Sequence, residues 1–369
     1  MKITLLEPYL TGSHASWASE YASFSRHQVE TLALPGRHWK WRMHGGAVTL
    51  ARKFLDSSFC PDLLLATDML DLTTFLALTR QRSAQCKTAL YFHENQLTYP
   101  WSPDDCDRAL KRDAHYAFIN YVSALAADAV LFNSAYHLQS FVDELPRFLG
   151  SFPDKNELGS VEAIRRKCRV LHLGMDLRRF DPYRPAKSDG DGGRPPLVLW
   201  NHRWEYDKDP EEFFRVLERA AADGLEFQVA VLGESFSAAP AIFREARDRL
   251  GERVVRYGFV KSFADYAAWL WQADILPVTS RHDFFGASVV QAIYCRCHPL
   301  LPRRLAYPDH IPHELHARYF YEDSADLQGK LEGLLRDRGA SPPPPADFVE
   351  RYDWRQMATV YDDFFESLV

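Results

Sequence analysis

The stretch Ser280-Arg281-His282-Asp283-Phe284-Phe285-Gly286-Ala287-Ser288-Val289-Val290-Gln291-Ala292 decides how this chain folds. An apolar, strand-like run from Ala273 to Thr279 precedes it, and the polar turn then gives way at Gly286 to an apolar helix that begins with small residues. A strand, a glycine turn and a small-residue helix start together leave backbone N–H groups free to face an anion. Asp283 and Gln291 are eight positions apart, about two helical turns, which predicts that both serve one ligand from one side.

A second polar loop lies upstream. The buried-type strand Leu197-Val198-Leu199-Trp200 ends in Asn201-His202-Arg203-Trp204-Glu205-Tyr206-Asp207-Lys208-Asp209, and a helix is expected from about Pro210-Glu211-Glu212, since proline suits a first helical turn. Two cations, Arg203 and Lys208, at the carboxyl end of a parallel strand are placed to neutralise a diphosphate. Pairing with Glu205 and Asp207 as ordinary surface residues accounts for the loop equally well. Gly233-Glu234 and Gly258-Phe259 are further strand-end loops expected to border a nucleotide.

Working outward, strand and helix signals alternate through both halves. Ile3–Glu7, Leu63–Ala66, Ala89–Phe92, Ala129–Phe132 and Val170–Leu173 read as parallel strands of a first domain; Leu197–Trp200, Phe227–Leu232, Val254–Tyr257 and Ile275–Val278 read as those of a second. The expected class is α/β with two doubly wound domains facing each other across a cleft: residues 1–182, a Pro/Gly-rich linker at 183–196, residues 197–345, and a helix from about Ala346 to 369 after Pro342-Pro343-Pro344-Pro345.

Together the two loops resemble the donor half of the retaining GT-B glycosyltransferases. In that branch an Arg and a Lys bind the donor diphosphate, and an acidic-x7-acidic motif with an internal Phe-Gly binds sugar and ribose. The matching residues are Arg203, Lys208 and Asp283-x7-Gln291 with Phe285, Gly286 and Ala287. The chain departs from the motif by carrying the shorter Asp283 and the neutral Gln291, which can still hydrogen-bond a ribose. Gly12-Ser13-His14, Pro35-Gly36-Arg37-His38-Trp39-Lys40-Trp41-Arg42, Tyr91-Phe92-His93-Glu94-Asn95-Gln96, Phe132-Asn133-Ser134 and Tyr294-Cys295-Arg296-Cys297-His298-Pro299-Leu300 make the whole similar to the tRNA-queuosine mannosyltransferases. The resemblance implies GDP-mannose as donor and the cyclopentenediol of queuosine at the wobble position of tRNA(Asp) as acceptor. It implies a C-terminal helix crossing back to the first domain, with Tyr352-Asp353-Trp354 as its signature.

On this reading His93, Arg203, Lys208 and Asp283 are the catalytic candidates. Gly12, Ser13, His14, Asn201, Gly233, Glu234, Phe285, Gly286, Ala287 and Gln291 are expected at the donor. His93 follows a strand directly, and with Glu94, Asn95 and Gln96 it forms a polar run that is costly to bury without partners; a structural histidine holding a loop is its alternative. Arg37, His38, Lys40 and Arg42 interleave with Trp39 and Trp41, which suits phosphates and stacked bases. The same pattern fits an amphipathic strand with its tryptophans in the core, or a lipid headgroup surface. These residues, with Glu94, Asn95 and Gln96, are the expected tRNA contacts.

The chain has 369 residues, 46% of them hydrophobic and 14% aromatic, enough for two cores. Its net charge is -6, with 21 Lys and Arg against 19 Asp and Glu in residues 1–180 and 23 against 31 beyond. The negative total argues against indiscriminate nucleic-acid binding, while the slightly basic first half is where a polyanionic acceptor would be met more easily. Arg108, Lys111 and Arg112, set among Asp104, Asp105, Asp107 and Asp113, read as a solvated helix face. The six cysteines (Cys60, Cys86, Cys106, Cys168, Cys295, Cys297) match neither a zinc nor a redox spacing. With no leader-like start and no run near the roughly 20 apolar residues of a membrane span, a reduced cytoplasmic protein is expected, without membrane or obligate protein partner. No acidic pair accompanies the donor loops, so neither metal nor cofactor is expected beyond the sugar nucleotide. Other readings are a GT-B enzyme with a lipid or polysaccharide acceptor, and a catalytically silent GT-B module that binds tRNA or nucleotide.

Overall fold

The computed structural model describes residues 1–101, 114–185, 194–234, 240–337 and 342–369. The basic cluster Arg108, Lys111, Arg112 with its neighbouring aspartates, Cys106, and most of the expected 183–196 linker lie outside the described residues.

The chain divides into two compact units, Met1–Asp176 with Tyr352–Val369, and Leu177–Arg351. The first is built on a parallel sheet of order β2-β1-β3-β4-β5-β6. Its strands are β1 (Lys2–Leu10), β2 (Gln28–Pro35), β3 (Leu63–Thr67), β4 (Lys87–Phe92), β5 (Ala129–Phe132) and β6 (Cys168–Val170). β3 and β5 are buried at every position, as expected where helices cover both faces of a parallel sheet. β2 escapes sequence reading because it is an edge strand with only Leu34 buried. The last strand ends at Val170, and not Leu173: Leu171 still donates to the Phe132 carbonyl, after which the ladder stops.

The second unit holds a parallel sheet of order β12-β11-β10-β7-β8-β9, made of β7 (Leu197–Trp200), β8 (Gln228–Val231), β9 (Val254–Tyr257), β10 (Ile275–Pro277), β11 (His298–Pro302) and β12 (Phe320–Tyr321). β11 carries two prolines and β12 is two residues long, so neither gives a strand signal in sequence.

The expected boundaries at 182 and 345 both shift. A 3-10 helix, Leu177–Tyr183, is already tied to the second unit: Trp271 Nε1 donates to the Phe180 carbonyl at 2.8 Å. At the far end the short helix Asp347–Glu350 belongs to the second unit, and the terminal helix is Trp354–Leu368. That helix packs in the first unit, as the resemblance implied. Asp362 accepts from Tyr21 Oη at 3.0 Å, Ser25 Oγ at 2.7 Å and Arg26 N–H at 2.8 Å. Trp354 donates to Glu20 at 2.8 Å and lies where a Cβ on Gly174 would be 2.5 Å away.

Each sheet reverses its strand order once, beside β1 in the first unit and beside β7 in the second. Such reversals leave a crevice at the carboxyl ends of the strands, where doubly wound units bind ligands. The loops after β1, β3 and β4 end there in one unit, and those after β7 and β10 in the other.

Candidate active site

In the second unit the loop after β7 and the loop after β10 are knitted by backbone groups. The Asp207 carbonyl accepts from Arg281 N–H at 2.8 Å and His282 N–H at 3.3 Å, and Thr279 Oγ1 donates to the carbonyls of Lys208 and Asp209, both at 2.9 Å. Lys208 stands inside this lattice, with 9% of its side chain exposed. Its Nζ donates to the His282 carbonyl at 2.7 Å and lies 3.2 Å from Asp207 Oδ2 and 3.5 Å from Asp283 Oδ2. Burial pushes the Asp283 carboxyl up, but Lys208, with lesser help from His202, the Phe285 N–H and His282, holds it at about 2. His202 and His282 are both held down at about 4, first by burial and then by the Lys208 charge. The site is therefore a buried cation and carboxylate flanked by neutral imidazoles.

Arg203 is far more open, with 45% of its side chain exposed, and sits 3.2 Å from Glu205. Pairing with Glu205 and Asp207 is thus what both cations show, yet only Arg203 is a surface residue.

Gly286, at φ 89°, caps the helix Ala287–Tyr294, and a Cβ there would lie 2.8 Å from the Tyr307 ring. Asp283 precedes that helix, so its spacing from Gln291 is not two helical turns as the sequence suggested; the turn Phe284–Gly286 intervenes. Tyr307 Oη donates to Asp283 at 3.2 Å and Tyr266 Oη to Gln291 Oε1 at 2.8 Å, so each motif end is held separately. Asn201 Nδ2 donates to the Ser288 carbonyl at 2.9 Å and spans the two loops. His310 donates to the Phe285 carbonyl, which keeps that buried ring in place. Ala287 is half-buried in the helix's first turn. Gly233, at φ 94°, lies under the His202 carbonyl, which a Cβ would meet at 1.9 Å; Glu234 accepts from Trp204 N–H at 3.0 Å.

In the first unit Gly12, at φ 50°, opens the helix Gly12–Phe24 directly after β1, with Ser13 exposed beside it. His14, in the first turn, donates through Nδ1 to Glu7 Oε2 at 3.0 Å; Glu7 is fully buried and also accepts from Tyr9 N–H at 2.8 Å. The His14 ring lies against His93 with centroids 4.2 Å apart and planes tilted by 38°, and Trp17 meets His93 edge-on at 4.7 Å. Burial pushes His14 down, but Glu7, and behind it Asp68 and Glu94, raise it to about 9. His93 is driven well below 6.5 by burial and by His14. Its backbone N–H donates to Asp68 Oδ1 at 2.8 Å, while its Nε2 has no hydrogen-bond partner among the described residues.

Glu7, His14 and His93 are also the one group, among the described residues, whose donor atoms come close enough to share a metal ion. In this arrangement His14 Nδ1 is taken up by Glu7 at 3.0 Å, and the His14 and His93 rings are tilted by 38° to each other.

The neighbouring residues divide. Asn95 is fully buried, and its Oδ1 accepts from Leu97 N–H, Thr98 N–H and Thr98 Oγ1. Its oxygen therefore holds the loop, while its Nδ2 has no hydrogen-bond partner among the described residues. Gln96 is 8% exposed and donates through Nε2 to Glu94 Oε1 at 3.1 Å, with Glu94 half-buried.

The basic and aromatic stretch is neither strand nor alternating ribbon. Arg37 and His38 are exposed in a turn, with His38 at φ 53°, and the helix Trp39–Asp56 starts straight after. Trp39 is half-buried against Tyr116, centroids 5.0 Å apart; Lys40 Nζ lies over Trp39 and Trp101; Arg42 Nε donates to the Pro35 carbonyl at 3.2 Å. Trp41 is 64% exposed.

Sequence reading assigned no role to Glu7, Asp68 or His202 and gave Asp207 only as a surface partner of the loop cations. Glu7 had a usable signal: a carboxylate near the end of an otherwise apolar first strand, seven positions before a histidine. Asp68 had none, because its partner, the His93 backbone, arrives from another strand.

A model of the tRNA-queuosine alpha-mannosyltransferase N-terminal region matches residues 2–175. A tRNA-queuosine alpha-mannosyltransferase of Drosophila melanogaster is 33% identical over 377 aligned residues, covering 99% of this chain and 96% of that protein. A GDP-mannose:cellobiosyl-diphosphopolyprenol alpha-mannosyltransferase of Xanthomonas campestris is 23% identical over 209 residues, 54% of this chain and 53% of that one. Among solved structures, sucrose-phosphate synthase of Thermosynechococcus elongatus superposes with TM-score 0.71 at 13% identity, covering 100% and 99% of the two chains. That likeness carries the GT-B fold of two Rossmann-like units. Among the described residues no helix is long and apolar enough to cross a membrane.

Proposed function

Because the chain belongs to the tRNA-queuosine alpha-mannosyltransferase family, we propose that it transfers mannose from GDP-mannose to the cyclopentenediol of queuosine at the wobble position of tRNA(Asp), with retention at the anomeric carbon. It is a glycosyltransferase, and mannosyl transfer in queuosine tRNA modification is the activity of its family. The observation that carries the reading is the near end-to-end match to the Drosophila enzyme. GDP-mannose is supported by the name of the Xanthomonas relative, whose acceptor is lipid-linked.

Breaking the glycosyl–phosphate bond places negative charge on the diphosphate and positive charge on the anomeric carbon. Lys208 is a preorganised cation for the former, since its position is set before substrate arrives. Arg203 reaches the same phosphates by giving up an exposed pair with Glu205, a loss of about 1 kcal/mol or less. The backbone N–H groups at the start of helix Ala287–Tyr294 add a partial positive charge. Asp283, ionised throughout the working pH range, and His93 orient the sugar, while Gln291 holds the ribose. Attack from the face the phosphate leaves lets that phosphate take the acceptor proton, so no side-chain base is required, and Arg203 with Lys208 replaces a metal. Arg37, His38, Lys40, Arg42 and the exposed Trp41 form the tRNA-facing surface.

The test is incubation with GDP-mannose and total tRNA from cells with and without queuosine, followed by nucleoside analysis. A mannosylated queuosine from the first tRNA pool alone supports the reading. Consumption of GDP-mannose without any tRNA product points to another acceptor, and no consumption at all overturns it.

A further inference from the structure

Glu7 and His14 form a buried, directly hydrogen-bonded pair at the start of the first helix. Both members are buried, Glu7 completely and His14 with 8% exposed, and they are joined at 3.0 Å. His14 lies in the first turn of a helix of 13 residues that has no side-chain cap and no acidic residue at its start. A cation there is opposed by the helix dipole and by burial, so this fold disfavours it unless a carboxylate holds it. Glu7 supplies that carboxylate from β1, and its second oxygen is already fixed by Tyr9 N–H. Directly beneath lies the His93 ring, whose Nε2 is buried and without a hydrogen-bond partner among the described residues. Glu7 balances the charge of His14, and the pair takes up only the Nδ1 edge of that ring.

We infer that Glu7 is a positioning residue: its buried carboxylate keeps His14 an imidazolium, so that a phosphate of a substrate meets a fixed cation at the start of the helix Gly12–Phe24. The inference rests on the donor and acceptor reading of this loop given above and adds the residue that sets its charge. The groups facing His14 are Glu7 and Tyr9 from β1, Asp68 from the loop after β3, and His93 and Glu94 from the loop after β4, while Trp17 and Tyr91 pack on the His93 ring behind. Of these only Glu7 bonds the ring directly. Without it, burial and the helix start together favour neutral imidazole.

The test is Glu7→Gln, which keeps size and a hydrogen-bonding oxygen but removes the charge. The His14 ring is followed by pH titration of the full chain with 15N-labelled histidine, assigned with His14→Gln. The wild-type ring is expected to titrate near 9, and the Glu7→Gln ring below the ordinary histidine value of about 6.5. The alkaline limb of kcat/KM moves down by more than about two pH units, with a loss of roughly 100-fold at pH 8 that shrinks at pH 6. Binding of GDP-mannose alone and of tRNA alone, each at pH 6, 8 and 10, identifies whose phosphate is met: the arm whose affinity falls with pH in the wild type, and at lower pH in the variant, is the partner. A purely structural Glu7 gives a loss equal at all pH values, and that result overturns the inference. So does a wild-type His14 that titrates near 6.5, a readout that needs no folded variant and no substrate. A chain that transfers no mannose but whose His14 titrates near 9 overturns the proposed function and leaves the ion pair standing.

Discussion

Lys208 Nζ lies 3.5 Å from Asp283 Oδ2, so a cation from the loop after β7 and a carboxylate from the loop after β10 form one ion pair across the strand-order reversal of the second sheet. Neither residue is anchored by the other alone. The His282 carbonyl fixes the ammonium, and Tyr307 with the Phe285 N–H fixes the carboxylate.

Lys208→Ala is expected to cost about 2–4 kcal/mol of transition-state stabilisation, read from kcat/KM. It also strands Asp207 and Asp283 without their cation, so the stability loss should reach about 3–5 kcal/mol, measured by denaturant unfolding. Near-normal turnover in both Lys208→Ala and Arg203→Ala would remove the diphosphate assignment. For Asp283 the folded value is about 2 against an ordinary 3.8. Its stabilising contribution is therefore complete above about 3.8 and disappears as pH falls through about 2. Asp283→Asn should flatten the acid-unfolding curve in that window.

If Arg203 and Lys208 meet the charge of the departing diphosphate as proposed, mannosyl transfer should persist in excess chelator. Complete loss on chelation, restored by magnesium or manganese, would assign that charge to a metal instead.

The turn and helix start at Arg37–Arg42 should govern tRNA affinity and not donor affinity. Replacing Lys40 and Arg42 by Ala is expected to lower the log–log salt slope of tRNA binding by roughly one unit per lost phosphate contact. Trp41→Ala should remove about 1–3 kcal/mol of tRNA binding if a base stacks on it, with an unchanged melting temperature because the ring is 64% exposed. Trp39→Ala should act chiefly on stability, since that ring packs on Tyr116. Unaltered tRNA binding in the Lys40/Arg42 double variant, with folding intact, would move the acceptor surface elsewhere.

Gly233→Ala should destabilise the second unit by about 2–4 kcal/mol. The backbone is at φ 94° and the added methyl would sit 1.9 Å from the His202 carbonyl. Thermal unfolding checks it, and a neutral result would mean that the loop after β7 yields freely.

Much of the donor loop chemistry is local, and local features survive in a single sequence. The helix at Pro210–Ala222 follows from proline at its first position, and the helix after Gly286 from a residue that tolerates positive φ. The central strands are legible because burial on both faces makes them continuous apolar runs. β2 and β12 were hidden because edge strands carry no such run. The part of Asn95 in holding its loop was hidden because four adjacent polar residues say nothing about which one turns inward.

The sequence by itself determined the alternation of strands and helices, the two polar loops after β7 and β10, the terminal helix and the family. It could not decide which polar groups meet, because Lys208 with Asp283 and the His93 backbone with Asp68 come together from the ends of different strands. Such pairs depend on the order of strands in a sheet, not on spacing along the chain. Nor could composition show that the pKa of His14 is raised while that of His93, packed against it, is lowered. Those opposite shifts follow from desolvation and from the carboxylates of Glu7, Asp68 and Glu94 near His14, an arrangement that exists only once the sheet has formed.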